Sequence, residues 1–115
     1  MNIQRLNVNA RYSQCVVSGD RIETSGIVAR DPSQGIGEQT RDVLQQLDAI
    51  LALANVDKSR VTRVQIWLAS MTDFAAMNAV YDAWVDSAHP PVRACVGAAL
   101  ADSRYLLEIQ ANAVL

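Results

Sequence analysis

The chain has 115 residues and a mass of 12.5 kDa, and 50% of its residues are hydrophobic and 19% charged. This length and composition fit one folded domain over residues 1–115 and exclude an intrinsically disordered protein. The net charge is −2, and Lys and Arg are scattered without a basic stripe. We therefore expect neither nucleic acid nor a membrane surface among the partners.

The termini and the cysteines give the expected compartment. The opening residues, MNIQRLNVNARYS, lack the charged and apolar regions of a secretory signal. The most apolar run, 50–56, is far too short to cross a bilayer. Cys15 and Cys95 are far apart in sequence and have no metal-type spacing, so we expect reduced thiols in a cytoplasmic protein and no metal site.

The first third of the chain predicts three short strands, at 2–8, 14–18 and 21–28. Ser18-Gly19-Asp20, between the second and third strands, is typical of a tight turn. The run Asp31-Pro32-Ser33-Gln34-Gly35 then has loop chemistry.

The middle of the chain predicts a long helix at 37–55. Its apolar residues recur at helical spacing, and Asn55 is a plausible stop signal. Those apolar residues are Val43, Leu44, Leu47, Ile50, Leu51 and Ala54.

The rest of the chain predicts strand, helix, strand, strand. Residues 61–69 alternate between apolar and polar, which favours a strand with one apolar face. A second helix is expected at 72–85 with Thr72 as its N-cap, and His89-Pro90-Pro91 ends it. Its stripe consists of Phe74, Met77, Tyr81, Trp84 and Val85.

Two final strands are expected at 93–100 and 105–113. The resulting order, βββαβαββ, predicts an α+β or α/β sandwich. Two helices can cover only one face of the sheet, so the polar positions of the strands lie on the other face. That far face carries Gln65, Trp67, Glu108 and Gln110. A surface that mixes Trp with amides and a carboxylate is typical of a subunit interface, and we infer a homo-oligomer.

Most single candidates for chemistry have an ordinary structural explanation. The lone histidine, His89, has no motif around it, and a solvated loop residue is favoured over a catalytic one. Gly35-Ile36-Gly37 precedes a helix but lacks the Lys and the full glycine pattern of a phosphate loop, so it is interpreted as a turn. Cys95 could be a thiolate stabilised by Arg93, although a small buried thiol is favoured.

Three polar residues keep two interpretations open. Asn78 lies on the apolar stripe of the second helix, where its amide needs either a structural partner or a ligand. Arg93 and Glu108 lie in segments of small, apolar residues. A charge in such a segment needs either an ion-pair partner or a ligand. The alternation along their separate strands does not decide whether they share a face, pair with each other or form a site.

Several motifs resemble the RidA family, also called the YjgF-type or enamine/imine deaminase family. The most specific is Pro91-Val92-Arg93-Ala94-Cys95-Val96, followed after a gap by Leu107-Glu108-Ile109. Further matches are Tyr12-Ser13-Gln14, Thr24-Ser25-Gly26, and Asp73-Phe74-Ala75-Ala76-Met77-Asn78 with Tyr81. The likeness runs nearly from end to end. It departs from the family pattern at Ala10-Arg11, where Gly-Pro is usual, at Ile27, where Gln is common, and in a shortened loop after the third strand.

The resemblance implies a fold, an assembly and a site. The fold would be chorismate-mutase-like, with a mixed six-stranded sheet and two helices on one face, and the assembly a homotrimer with three intersubunit clefts. Arg93 matches the arginine that binds the substrate carboxylate, and Glu108 the glutamate that acts as acid and base toward water. Tyr12, Ser25, Gly26, Asn78 and Cys95 match residues that line the cleft.

The implied activity is hydrolytic deamination of 2-imino acids, such as 2-iminopropanoate and 2-iminobutanoate, to 2-keto acids. No cofactor is expected, since a protonated imine is already activated. A guanidinium fork suits the carboxylate of such a substrate, and a nearby carboxylate suits proton transfer to and from water. Two alternatives stay open: a non-catalytic trimer that binds keto acids or amino acids, and, with less support, a protein that acts on RNA.

Overall fold

The structure is a computed structural model that describes residues 2–115, and within them the predicted order of elements is confirmed. Two short 3-10 turns, at Lys58–Arg60 and Met71–Asp73, precede the fourth strand and the second helix. The strands are β1 (Ile3–Val8), β2 (Ser13–Ser18), β3 (Arg21–Thr24), β4 (Val61–Leu68), β5 (Val92–Gly97) and β6 (Leu107–Val114), and the helices are α1 (Ile36–Leu53) and α2 (Phe74–Trp84).

The six strands form one mixed sheet in the order β1-β2-β3-β6-β4-β5. β4 and β5 are parallel, and every other neighbouring pair is antiparallel. The parallel pair follows from the connection, because α2 carries the chain from the end of β4 back to the start of β5. β1 and β5 are the two edges of the sheet.

The core lies between one face of the sheet and the two helices. The apolar positions of β4 and β6 meet the apolar stripe of α1, as their alternation predicts. The other face, called the open face below, carries the four predicted far-face residues, which are half-buried or exposed. The fully buried large side chains include Ile22, Leu44, Leu47, Leu51, Ile66, Leu68, Met77, Leu107 and Ile109.

Two predicted turn signals are confirmed by backbone conformation. Gly19 has a φ of 62° in the β2–β3 turn, a left-handed conformation that glycine adopts without a steric cost. Asn55 has a φ of 61° just after α1, which ends at Leu53. Asparagine is among the few residues that tolerate this conformation at a helix end.

β3 is shorter than the predicted strand at 21–28. The regular pairing of β3 with β6 ends at Glu23. At the next position Ala111 N donates to the side-chain hydroxyl of Thr24, Oγ1, at 3.1 Å, and not to a backbone carbonyl oxygen. The chain rejoins β6 at Ile27, which exchanges backbone hydrogen bonds of 2.7 and 3.0 Å with Ile109. Ser25 and Gly26 therefore form a two-residue detour beside β6.

The predicted second helix is confirmed to within two residues at each end, but its predicted N-cap is wrong. Thr72 is not its N-cap; it lies within the 3-10 turn that Ser70 caps, and α2 begins at Phe74. The helix ends at Trp84, one residue before the predicted end, and the Trp84 carbonyl oxygen accepts a hydrogen bond from Lys58 Nζ. The final strands also begin and end within a few residues of the predicted bounds.

A buried glutamine ties two loops together. Gln39, in the first turn of α1, is 1% exposed. Its Nε2 donates to the carbonyl oxygens of Gln34 and Arg104 at 2.9 and 3.0 Å, and its Oε1 accepts from Leu106 N at 3.0 Å. One side chain thus joins the loop before α1 to the β5–β6 connection. No helix within residues 2–115 is long and apolar enough to span a bilayer.

Candidate active site

Arg93 lies on the helix-covered face of the sheet, near one end of edge strand β5. The register pairs Arg93 with Val64, which is fully buried under the helices. Residues aligned across neighbouring strands point to the same side, so the Arg93 side chain runs beneath α2. It is half-buried there.

Three side chains of α2 hold the guanidinium, and we call them with Arg93 the arginine cluster. Arg93 Nη1 donates to Asn78 Oδ1 at 2.8 Å. Its Cζ lies 4.7 Å from the ring centroid of Tyr81 and 5.9 Å from that of Phe74. These distances are typical of cation–π contacts. The helical spacing of Phe74, Asn78 and Tyr81 puts all three on one face, and Asn78 has the partner that its amide requires.

Glu108 lies on the opposite, open face. It pairs in register with Trp67 of β4, while its neighbours in β6, Leu107 and Ile109, are fully buried under the helices. The Glu108 side chain is half-buried, and within residues 2–115 its carboxylate forms no ion pair.

The detour at Ser25 and Gly26 gives Glu108 its space, and these three residues are called the glutamate cluster. A Cβ placed on Gly26 would lie 2.2 Å from Glu108 Oε2 and 2.9 Å from its Cδ. Only glycine leaves room for the carboxylate in this position. Gln110, two residues along β6, donates its amide to Thr24 O at 3.0 Å and holds the detour in place.

The arginine and glutamate clusters lie on opposite faces of the sheet. The possibility that Arg93 and Glu108 pair within one chain is therefore wrong. The remaining possibilities are that each is used separately, or that the two meet when different copies of the chain associate.

Tyr12 is far from Arg93 in the same chain. It lies in the β1–β2 turn, where its backbone amide donates to Asn9 Oδ1 at 3.1 Å, and its side chain is 55% exposed. Four strand spacings separate β2 from β5, or about 19 Å. A single chain does not bring Tyr12 and Arg93 to one site.

Cys95 and His89 have the ordinary roles favoured for them. Cys95 is half-buried on the helix-covered face, and burial raises the pKa of its thiol, with the Arg93 charge a smaller, opposing influence. A protonated thiol is therefore favoured over a thiolate. His89 is exposed in a loop, where its Nδ1 lies 3.0 Å from Asp86 Oδ2. That hydrogen bond is the main cause that lowers the pKa of the Asp86 carboxyl.

Two surface grooves lie away from these clusters. One of about 370 Å³ runs between α1 and α2 beside Trp84, and another of about 410 Å³ lies between α1 and the loop before it. Neither is lined by Arg93 or Glu108. Among the described residues, no three His, Cys, Asp or Glu side chains group in a way that could hold a metal ion.

Two features of these clusters are absent from the sequence-based site. Tyr81 was predicted as part of the α2 stripe and of the family match but not as a site residue, yet its ring is the nearer of the two aromatic contacts of the Arg93 guanidinium. The role of Gly26 as space for Glu108 also depends on the interruption of β3. The helical spacing that puts Tyr81 beside Asn78 was the one sequence feature that could have indicated a role for Tyr81.

Comparison with known proteins decides the family. The model of the endoribonuclease L-PSP family matches residues 2–115. The chain belongs to this family. Proteins of the family also carry the names RutC and YjgF, so the resemblance to RidA (YjgF-type) proteins is confirmed.

Relatives of the chain match along nearly their whole length. RutC family protein YoaB of Escherichia coli K12 is 37% identical over 110 residues, which are 96% of each chain. A RutC family protein of Haemophilus influenzae is 39% identical over 110 residues, 95% of each. A crystal structure of a YjgF family member from Neisseria meningitidis is 41% identical and superposes with a TM-score of 0.96, covering 99% of this chain and 95% of that one. The predicted α+β fold with its mixed six-stranded sheet is thus confirmed.

Proposed function

We propose that the protein hydrolyses reactive 2-imino acids and their enamine tautomers to 2-keto acids and ammonia, with 2-iminopropanoate and 2-iminobutanoate as the substrate type. One observation carries the proposal: Arg93 is fixed by neutral partners and forms no ion pair within residues 2–115. A half-buried guanidinium without a carboxylate partner has its charge available for the carboxylate of a ligand. The proposal includes a cytoplasmic setting, which two free cysteines support.

The chemistry divides between the two charged residues. Arg93 holds the substrate carboxylate, which fixes the adjacent C=N carbon. Glu108 takes a proton from water as the oxygen bonds to that carbon, and the tetrahedral adduct forms. Glu108 then returns the proton to nitrogen, the C–N bond breaks as the C=O bond forms, and ammonia leaves while the hydroxyl proton of the adduct passes to Glu108 and from there to the ammonia. Water supplies the oxygen of the keto acid, and no electrons are gained or lost.

The proposed site requires two copies of the chain, and we propose a homotrimer closed as a ring. Arg93 and Glu108 lie on opposite faces of one chain, and Tyr12 lies near the edge far from Arg93. In a ring of like copies each interface joins two different surfaces, so residues from opposite faces can meet. The open face supports the assembly, since Val92 and Val96 are 69% and 46% exposed there beside Trp67.

The direct test generates both imines in place with an amino-acid oxidase and follows their decay with and without the protein. Faster decay in proportion to protein concentration is expected. If the imines decay at the uncatalysed rate although the protein sediments as a trimer, the proposal of catalysis fails and the non-catalytic binding trimer is favoured. A sedimenting species near 12.5 kDa at micromolar concentration would remove the two-copy site altogether.

Mixing two inactive variants tests the shared site. We expect Arg93→Ala and Glu108→Gln, each inactive alone, to regain about a quarter of wild-type activity after unfolding and refolding together in equal amounts. Each site takes Arg93 from one chain and Glu108 from a neighbouring chain. In an equal mixture each of these residues is intact in about half of the chains, so both are intact in about a quarter of the sites. Activity that stays at the level of the separate variants would mean that both residues serve the same chain.

A glycine substitution tests the space beside Glu108. Gly26→Ala is expected to lower turnover by roughly ten- to a hundred-fold with little change in stability, because the new Cβ displaces the carboxylate. Gly35→Ala is the matched control, since a Cβ there meets nothing within 4 Å. Imine-decay kinetics and thermal unfolding of both variants provide the measurement. Equal activity of the two would show that the carboxylate position is unimportant.

The family description, endoribonuclease, makes cleavage of RNA the second candidate. The charges of this chain support it poorly, because the net charge is −2 and Arg30, Arg41 and Arg104 each pair with a carboxylate. Phosphate contacts from free cations supply most non-specific affinity for nucleic acid. Salt-dependent retention of RNA by the trimer would favour this candidate.

A further inference from the structure

Tyr81 stands out among the residues without an assigned role. It is 5% exposed, yet the face of its ring lies against the guanidinium of Arg93 rather than against apolar side chains alone. The ring of Trp84 packs against Tyr81 at a centroid distance of 5.7 Å and an interplanar angle of 52°. The ring is thus held by its neighbour in α2, and its position is fixed by the core.

The guanidinium has two distinct edges, and only one is used within the chain. Nη1 donates to Asn78 Oδ1, while within residues 2–115 neither Nε nor Nη2 donates to a protein acceptor. Nη2 lies on the same edge of the guanidinium as the Nε hydrogen, and these two parallel donors match the two oxygens of a carboxylate. The free edge is therefore the one suited to bidentate binding.

We propose that Tyr81 is a positioning residue for Arg93: its ring, together with Asn78, fixes the guanidinium plane so that the Nε/Nη2 edge is presented to a ligand carboxylate. The inference rests on the proposed function for the identity of the ligand. Arginine has several rotatable bonds, and a ring on one face with a hydrogen bond on one edge removes most of that freedom before the ligand arrives.

The charge state of Tyr81 agrees with this role. Burial raises the pKa of its phenol, and the Arg93 charge opposes the rise only in part. The phenol is neutral at physiological pH, so the ring offers its electron-rich face to the cation without forming an ion pair. A phenylalanine ring offers a similar face, whereas an aliphatic side chain does not.

The experiment uses the whole protein and two variants, Tyr81→Phe and Tyr81→Leu. Without ligand, NMR of the Arg93 side chain should show upfield ring-current shifts in wild-type and Tyr81→Phe protein, and much smaller shifts in Tyr81→Leu, where only the more distant Phe74 ring remains. By calorimetry, 2-ketobutanoate should bind about 3- to 30-fold more weakly to Tyr81→Leu and within about two-fold of wild type to Tyr81→Phe. Val43→Ala, a core truncation in α1 away from Arg93, controls for loss of stability alone.

Three results would overturn the proposal: no ring-current shift of Arg93 in the wild type, unchanged affinity in folded Tyr81→Leu, or an equal loss in Tyr81→Phe and Tyr81→Leu. If Tyr81→Leu does not fold, the wild-type and Tyr81→Phe spectra and affinities decide. A separate outcome is wild-type protein that shows the ring-current shift of Arg93 and yet binds no keto acid. That result would overturn the proposed function and the proposed ligand of the Nε/Nη2 edge. It would leave the contact between Tyr81 and Arg93 in place.

Discussion

Replacing Arg93 with alanine is expected to lower imine hydrolysis by about tens- to thousands-fold, since truncating a charged donor at a binding site costs about 2–5 kcal/mol. The fold should survive. Arg93 is only half-buried on an edge strand, and its loss leaves Asn78 within reach of water. Imine-decay kinetics, with sedimentation of the same preparation, measure both effects.

Two further variants separate charge from geometry at Arg93. Arg93→Lys keeps the positive charge but loses the planar fork, and we expect it to recover only a small part of the activity. Arg41→Ala is the matched control, because Arg41 is 58% exposed on α1 and its ion pair is with the similarly exposed Glu38. If folded Arg93→Ala protein turns over imine at a rate near that of wild type, Arg93 does not hold the substrate.

Glu108→Gln should separate turnover from binding. The amide fills the same space and still forms hydrogen bonds, but it cannot take a proton from water. Turnover should fall by roughly a hundred-fold or more, the usual scale for a positioned acid or base. Affinity for a keto acid should change little, because it depends on Arg93. Calorimetry and kinetics on one preparation compare the two constants directly.

The control for this variant is Glu38→Gln, an exposed carboxylate in the first turn of α1. Equal collapse of binding and turnover in Glu108→Gln would give Glu108 a structural role. Binding and turnover both like wild type would make it a bystander on the sheet. A wild-type protein that binds keto acid tightly but hydrolyses no imine would establish the non-catalytic alternative.

Periodicity was sufficient to predict α1 and most of β4 and β6, because each of them has a clear apolar face. Residues 64–68 alternate, with Val64, Ile66 and Leu68 buried, while an irregularity between Val61 and Arg63 interrupts the alternation before them. The start of α2 was less predictable, since Ser70 and Thr72 are both good caps and only the three-dimensional path shows that the Ser70 hydroxyl accepts the amide of Thr72. The end of β3 likewise depends on the Thr24 hydroxyl, which replaces a ladder hydrogen bond.

The residues of the site were predictable, but their arrangement was not. Whether Arg93 points toward the helices depends on its pairing with Val64, and that pairing cannot be derived from the sequence of either strand alone. Glu108 was placed on the open face because Leu107 and Ile109 in its own strand fix its side. Sequence therefore located one charge and left the other undecided.

The buried amide of Gln39 has a consequence for motion. It holds carbonyl or amide groups of residues 34, 104 and 106, so neither loop can open without breaking its bonds. An unpaired amide in that interior position costs about 1–3 kcal/mol. Loops separated by about seventy positions along the chain should thus fluctuate as one cooperative unit with α1. We therefore expect the β5–β6 connection, which joins the strands that carry Arg93 and Glu108, to be rigid.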